Sequence, residues 1–452
     1  METKQKKEHK NIRRLAMKAL IDIHRDKKYA NIVLPQYMMQ EKLEDLDRRF
    51  FTELVYGVVR RQNYLDAVIV HFTKKPVKKL SPFVLEILRL GVYQLLYMDK
   101  VPSSAAVNES VKLAKKVAPG TDRFVNAVLR NVDRQREDIG VDALASSEAE
   151  RISYIYNQPL WLVRLWIEQR GIEETVDLCE WFNETPLLTA RVNTLRISRQ
   201  DLLEELSQAN WVVEPSHMIS DAIIIKSHKG QLQEAKWVQE GLMTFMDEAS
   251  MAVAYAVQPQ QHMRVLDACA APGGKTLHMA TLMGNTGTIV ATDIHEHKVE
   301  LLQANAKRMG ISNVQAQQGD ATVKEAQWKD TFDAVLVDAP CSGLGILQKK
   351  LDMRWRKEES QLQELPKLQQ QILQNASSYV KVGGHLVYST CTINTLENEG
   401  VVERFLGENP NFLLEDVAPL LPFETEGPMV TLLPHVYDMD GFFIARLRKE
   451  SA

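Results

Sequence analysis

The 452-residue sequence holds only four cysteines, Cys179, Cys269, Cys341 and Cys391, and no two stand in C-x-x-C spacing. That argues against a disulfide framework and against a thiolate zinc site, and it suits a reducing compartment, the cytoplasm. No apolar run approaches the roughly 20 residues of a membrane span. The first ten residues, METKQKKEHK, carry no apolar signal core. There is no internal repeat and no low-complexity tract. The stretches Asn108-Glu109-Ser110 and Asn183-Glu184-Thr185 fit a glycosylation pattern that has no meaning in such a compartment. Two phosphate-binding glycine patterns are also missing. A Walker A loop would need glycine five places before Gly274, where Cys269 stands, and G-x-G-x-x-G does not occur.

What is present is an ordinary globular composition, 45% hydrophobic and 25% charged. The length suits about three domains. The net charge of −4 hides an asymmetry: residues 1–140 carry 28 Lys+Arg against 17 Asp+Glu. A basic half of +11 joined to an acidic remainder of −15 points to a polyanionic partner for the first segment. A solvated basic surface explains the charge equally well.

Apolar residues at helical spacing over Ile12–Ile21, Phe50–Val59, Phe83–Tyr97 and Asn108–Val117 predict an all-helical domain over residues 1–140. Its breaks fall at Lys75-Pro76, Ser81-Pro82, Val101-Pro102 and Pro119-Gly120. Residues 136–150 read as a linker and residues 151–182 as helical. Strand-like Ala190–Asn193 and Ala222–Ile225, with a helix over Asp201–Gln208, place a small α+β subdomain at 150–245. From 246 to 452 strands alternate with helices, which implies a Rossmann-like α/β domain with a mostly parallel sheet. Its strand candidates are Val265–Cys269, Thr288–Thr292, Val314–Gln317, Ala334–Val337, His385–Ser389 and Phe442–Leu447, with helices over Glu296–Met309 and Gln361–Val380.

Ligands of such sheets bind beyond the carboxyl ends of the strands. The first strand runs into Cys269-Ala270-Ala271-Pro272-Gly273-Gly274-Lys275, whose small residues let a ligand approach the backbone at a helix start. The next three strands end at Asp293, at Gly319-Asp320 and at Asp338. Three carboxylates beside that loop suit a nucleoside whose charge lies on a sulfonium and an amino acid moiety, S-adenosylmethionine. Each could instead be a cap of the following helix. Cys341 and Cys391 both fall at strand ends on the same face. A thiolate there could add to C6 of a pyrimidine and make C5 nucleophilic toward a methyl group. Asp338 could also hold the cytosine edge. Spacing does not choose between the two cysteines. The segment Lys349–Lys357, with Lys349, Lys350, Arg354, Trp355 and Arg356, mixes cations with an aromatic ring and suits phosphates and base stacking. The alternative is a solvated loop with Trp355 in the core.

Taken together, DACAAPGGK (267–275), DAPCSG (338–343), STCT (389–392) and DGFFIARL (440–447) resemble the RNA cytosine-5 methyltransferases of the NOL1/NOP2/Sun family. The resemblance covers roughly residues 185–450, since Arg191-Val192-Asn193-Thr194 resembles the family's pre-catalytic subdomain. It implies that Cys269–Lys275, Asp293, Asp320 and Asp338 bind S-adenosylmethionine. It also implies that Cys391 is the nucleophile and that Cys341 assists product release. Leu88–Tyr93, Asn108–Val111 and Arg123–Arg130 resemble the NusB RNA-binding fold. A NusB-like domain ahead of this catalytic domain implies a bacterial methyltransferase of small-subunit rRNA; a monomer with no membrane and no metal partner is expected. The rival readings are the same chemistry on tRNA, a non-catalytic ribosome-assembly factor, and a small-molecule methyltransferase. Intact cysteines and the unbroken Gly-Gly-Lys loop oppose the second. The basic domain opposes the third.

Overall fold

The computed structural model describes residues 11–349 and 353–451. The chain divides into two compact units: one of residues 1–183 with 350–356, the other of 184–349 with 357–452.

The first unit is helical. Its helices run Ile12–His24, Ala30–Gln40, Asp45–Arg60, Gln62–Thr73, Pro82–Tyr97, Ser103–Val117 and Asp122–Gln135. Three more follow at Glu148–Tyr156, Leu160–Arg170 and Ile172–Trp181. Pro82–Tyr97 is the central one. Ser81 caps it by accepting from Val84 N, Pro82 opens it, and Val84 through Leu95 are almost all buried. Its buried polar side chains are paired, with only Glu86 Oε2 left without a hydrogen-bond partner. Arg89 makes a bidentate pair with Asp66 at 2.7 Å on both bonds and reaches Glu86 at 2.7 Å. Glu86 also meets His24 at 2.9 Å, and Gln94 accepts from Arg13.

The second unit opens with four strands: β1 (Leu188–Val192), β2 (Val212–Pro215), β3 (Ala222–Ser227) and β4 (Met243–Phe245). They form an antiparallel sheet in the order β2-β3-β1-β4, backed by the helix Arg199–Gln208. The strands β2 and β4 are additions to the two expected from sequence.

The catalytic sheet follows with β5 (Arg264–Asp267), β6 (Thr288–Asp293), β7 (Val314–Gln318), β8 (Phe332–Asp338), β9 (Val380–Thr390), β10 (Phe412–Glu415), β11 (Met429–Leu432) and β12 (Phe442–Lys449). Its order is β10-β12-β9-β8-β5-β6-β7, with β11 also on β12. The strands β9, β8, β5, β6 and β7 are parallel, while β12 runs antiparallel beside β9. Successive residues feed opposite faces. Val265, Leu336, Val387 and Ile444 enter one core; Leu266, Val335, Leu386 and Phe443 enter the other. That double burial is why these strands are continuous apolar runs. The helix expected over 361–380 stops at Ser377, because Val380 already begins β9. No helix among the described residues is long and apolar enough to cross a membrane.

Candidate active site

From β5 the chain crosses to β6 on one side, and β8 lies on the other, so the carboxyl end of β5 is a switch point of the sheet. The loop that follows is tied down by backbone bonds. Ala268 N donates to Leu336 O at 2.9 Å and Ala270 N to Thr292 O at 2.8 Å. Gly273 sits at φ +104°, and a Cβ there would lie 2.9 Å from Leu302 Cγ. Only glycine suits that close left-handed turn. The helix Gly274–Leu282 then starts at once.

Beyond this loop lies a cleft of about 350 Å³, lined by Cys269, Ala271, Asp293, Asp320, Asp338 and Pro340 among others. Its size falls in the range of small-molecule sites. Asp293 is buried and its Oδ1 accepts from His295 N at 2.9 Å; Asp320 is exposed and its Oδ1 accepts from Thr322 N at 2.8 Å. These bonds close local turns and cap no helix, since His295 precedes the helix Glu296–Met309 without a side-chain cap, and both carboxylates also line the cleft. The small-residue floor, the carboxylates at consecutive strand ends and the absence of a phosphate loop fit S-adenosylmethionine. Burial pushes the Cys269 thiol up, with the surrounding aspartates adding to it, so it lines the cleft as a neutral group.

Asp338 ends β8. Its Oδ2 accepts from Lys275 Nζ at 2.8 Å and its Oδ1 from Ser389 Oγ at 3.0 Å. Burial alone would lower the Lys275 ammonium, but Asp338, with Cys391 and Asp267 adding to it, makes the net shift upward. Lys275 thus stays charged. The β8–β9 register sets Asp338 opposite Ser389. The chain then turns after each strand, and the Cys341 and Cys391 sulfurs come within 3.2 Å. Both thiols keep part of their surface exposed. A hydrogen bond from Cys341 holds Cys391 below its ordinary value against the opposing effect of burial, and Lys275 helps. The same bond pushes Cys341 well up, and burial adds to that. The pair is therefore unequal: a thiolate is favoured at Cys391 and a thiol at Cys341. Cys341 also opens onto a second, open cavity of about 820 Å³ with Lys357, Ser360 and Gln363.

The described residues of the basic segment make internal contacts. Lys349 pairs with Asp247 and, at 2.9 Å, with Asp440. Arg354 is fully buried and donates to Asn157 O at 3.1 Å, Phe182 O at 3.2 Å and Asn183 Oδ1 at 3.4 Å. Its two terminal nitrogens meet three internal acceptors, while the buried Nε has no hydrogen-bond partner. Trp355 is half-buried against the core of the helical unit. Arg356 lies over the Tyr29 ring, 3.9 Å from its centroid, and donates to Lys28 O. Lys350 lies outside the described residues.

Several groups were missed. Asp267 is buried, accepts from Thr276 Oγ1 at 2.7 Å and is raised to about 7 by burial. Asp440, in the Lys349 cluster, is raised to about 7 by burial and by Asp247. Glu397, fully buried, accepts hydrogen bonds from the loops of both cysteines. The only available signal was the polar run Thr392, Asn394, Glu397, Asn398 directly behind a strand end. Among the described residues, no three His, Cys, Asp or Glu side chains are placed to hold a metal ion.

Comparison with known proteins extends this picture over the whole chain. Residues 254–448 match the family model described as 16S rRNA methyltransferase RsmB/F. Residues 10–134 match the NusB family, and 158–230 match a ferredoxin-like domain of RsmF/B-like methyltransferases. A probable ribosomal RNA small subunit methyltransferase B of Bacillus subtilis is 37% identical, covering 97% of this chain and 99% of that one. One from Synechocystis is 38% identical, again over 97% and 99%. Among solved structures, PH0851 aligns over 98% of this chain and all of its own, with a TM-score of 0.79 and 28% identity.

Proposed function

The chain belongs to the 16S rRNA methyltransferase RsmB/F family, and from that premise we propose that Cys391 is its nucleophile, Cys341 its release-assisting thiol and Asp338 the group that orders both. The enzyme is an S-adenosylmethionine-dependent methyltransferase that modifies C5 of a cytosine in small-subunit rRNA. The observation that carries the residue assignment is the 3.2 Å thiol pair beside the Lys275–Asp338 ion pair.

The target cytosine is single-stranded or flipped out, since its C6 is out of reach inside a helix. The Cys391 thiolate adds to C6, forming an S–C6 bond and making C5 enamine-like. S-adenosylmethionine, held along Cys269–Lys275, Asp293, Asp320 and Asp338, supplies an electrophilic methyl group when bound. Once C5 carries the methyl group, whose bond to the sulfonium sulfur would break with the electron pair left there as a neutral thioether, a base removes the C5 proton and the S–C6 bond breaks with its electrons returning to the Cys391 sulfur. Asp338 keeps Lys275 and Ser389 in place at the strand end and accepts from the cytosine amino group. Cys341 remains a thiol, able to donate to the departing Cys391 sulfur. Residues 1–140 supply docking charge, 150–245 lead into the chemistry, and 246–452 perform it. The protein acts in the cytoplasm, as a monomer.

The test is incubation with labelled S-adenosylmethionine and unmethylated total RNA, followed by bisulfite mapping. One labelled cytosine in small-subunit rRNA is expected. Label confined to tRNA would overturn the substrate, and methylation by Cys391→Ala would overturn the nucleophile.

A further inference from the structure

We propose that Glu397 is the positioning residue that gives Cys391 and Cys341 their unequal roles; the proposal rests on Cys391 being the nucleophile. Glu397 is fully buried. Its Oε2 accepts from Ser342 N at 2.8 Å and Gln369 Nε2 at 3.0 Å. Its Oε1 accepts from Asn394 Nδ2 at 3.0 Å and from Ser342 Oγ. Its main-chain oxygen accepts from Tyr388 OH at 2.7 Å. Ser342 directly follows Cys341, and Thr392 directly follows Cys391; their hydroxyls meet at 2.8 Å. Gln369 also donates to Pro340 O at 3.0 Å. One carboxylate therefore grips both thiol-bearing loops, and the 3.2 Å sulfur separation depends on that grip.

All four donors to this carboxylate are neutral. A side chain that only filled space and clamped two loops would do so at lower cost without a charge, because burying an uncompensated carboxylate is expensive. The charge has a definite side. It lies against the amide that follows Cys341 and helps hold that thiol protonated. Lys275 lies toward Cys391 and favours its thiolate. The other charged groups facing the pair are Asp338, which disfavours ionisation of both thiols, and Asp440, which disfavours it at Cys391. Buried Tyr388 is held neutral. The thiol–thiol hydrogen bond lowers one thiol and raises the other, and Glu397 on one side with Lys275 on the other sets which of the two becomes the thiolate.

The experiment reads thiol reactivity in the full-length protein without RNA, by iodoacetamide alkylation across pH with each cysteine mapped by mass spectrometry. In the wild type Cys391 reacts first. In Glu397→Gln, its preference over Cys341 should fall about tenfold, the equivalent of one unit of relative acidity. The single-turnover rate should fall too, with KM for RNA unchanged. Glu397→Asp keeps the charge and should restore most of the preference. Wild-type preference and pH profile in Glu397→Gln, or equal losses in both variants, would overturn the proposal. A second measurement needs no change at Glu397: Cys391 alone in Cys341→Ala should be more reactive near neutral pH than Cys341 alone in Cys391→Ala. Equal reactivity would also overturn it. Methylation by Cys391→Ala would instead sink the nucleophile assignment, whatever the alkylation pattern, so the two failures are distinguishable.

Discussion

Arg354→Ala separates the two roles a basic segment can have. If Arg354 holds RNA, its loss weakens binding and leaves stability alone; if it is an internal strut, the reverse holds. Its guanidinium donates to Asn157 O, Phe182 O and Asn183 Oδ1 from a fully buried position. Hydrogen bonds from a charged donor contribute about 1.5–3 kcal/mol each. Against them stands the cost of burying the charge. Burial lowers the guanidinium from 12.5 to about 10, equivalent to about 3 kcal/mol at 1.36 kcal/mol per unit. The balance leaves Arg354 stabilising by about 3 kcal/mol, and truncation to alanine orphans three acceptors. The readout is urea unfolding followed by tryptophan fluorescence, because Phe182 stacks on Trp166 at 5.5 Å and meets Trp181 edge-on at 5.4 Å. With a urea slope of about 1–3 kcal/mol per molar, the midpoint of the helical unit should fall by about 1–3 M. The dependence of RNA affinity on salt should keep its slope. An unchanged midpoint together with a slope shallower by about one would refute the strut and restore the phosphate contact.

Other outcomes are equally specific. Cys391→Ala should abolish methylation and adduct formation, whereas Cys341→Ala should accumulate a covalent protein–RNA adduct on denaturing gels; exchanged phenotypes would reverse the two roles. Lys275→Met removes the cation that favours the Cys391 thiolate, so the acid limb of the single-turnover pH profile should move to higher pH by about one unit, and an unmoved limb would discard that influence. Asp267→Asn tests linkage. Burial raises the folded carboxyl from 3.8 to about 7, so the folded state binds the proton more tightly and stability is fullest below about pH 4 and declines toward about pH 7. The decline attributable to Asp267 is on the order of 4 kcal/mol, and thermal melts of the asparagine variant should be flatter across that window; parallel curves would refute it. Gly345→Ala would set a Cβ 2.0 Å from Gly441 O, backbone against side chain, and should displace the Cys341 loop with loss of turnover in a folded protein.

The apolar runs that marked β5, β8, β9 and β12 were legible because each strand feeds a core on both faces. Val335 and Leu336 go to different cores, so the whole segment reads as apolar. The same logic hid β10 and β11. Each has only four residues, and each pairs antiparallel to β12. Strands that short carry too few apolar residues to separate from loop. Ala30–Gln40 was not singled out as a helix, since Pro35 interrupts it and only Ala30, Val33 and Leu34 are buried. Its place comes from tertiary packing rather than from a local signal. In β9 the pair Gly383-Gly384 masked the first half of an 11-residue strand, because Gly383 takes φ +79° there and the register shifts beside it.

The site divides along a similar line. Cys341 lies three residues past the end of β8 and Cys391 one residue past the end of β9. Sequence therefore places both thiols at one edge of the sheet. That they touch depends on β8 and β9 being neighbours, and strand order is a property of the whole fold. The inequality between the thiols is further removed still. Beside the thiol–thiol hydrogen bond, it is biased by Lys275, which follows β5, and by Glu397, which follows β9, neither of which is adjacent to both cysteines in the chain. The basic segment shows the opposite case, where composition speaks but partners decide. Arg354 reads as a surface cation, yet its acceptors come from residues 157, 182 and 183, more than 170 positions earlier. Two of the three are main-chain carbonyls, which every residue possesses and no composition betrays. A guanidinium can be buried wherever carbonyl oxygens converge on it, so cationic character alone cannot distinguish a phosphate contact from an internal strut.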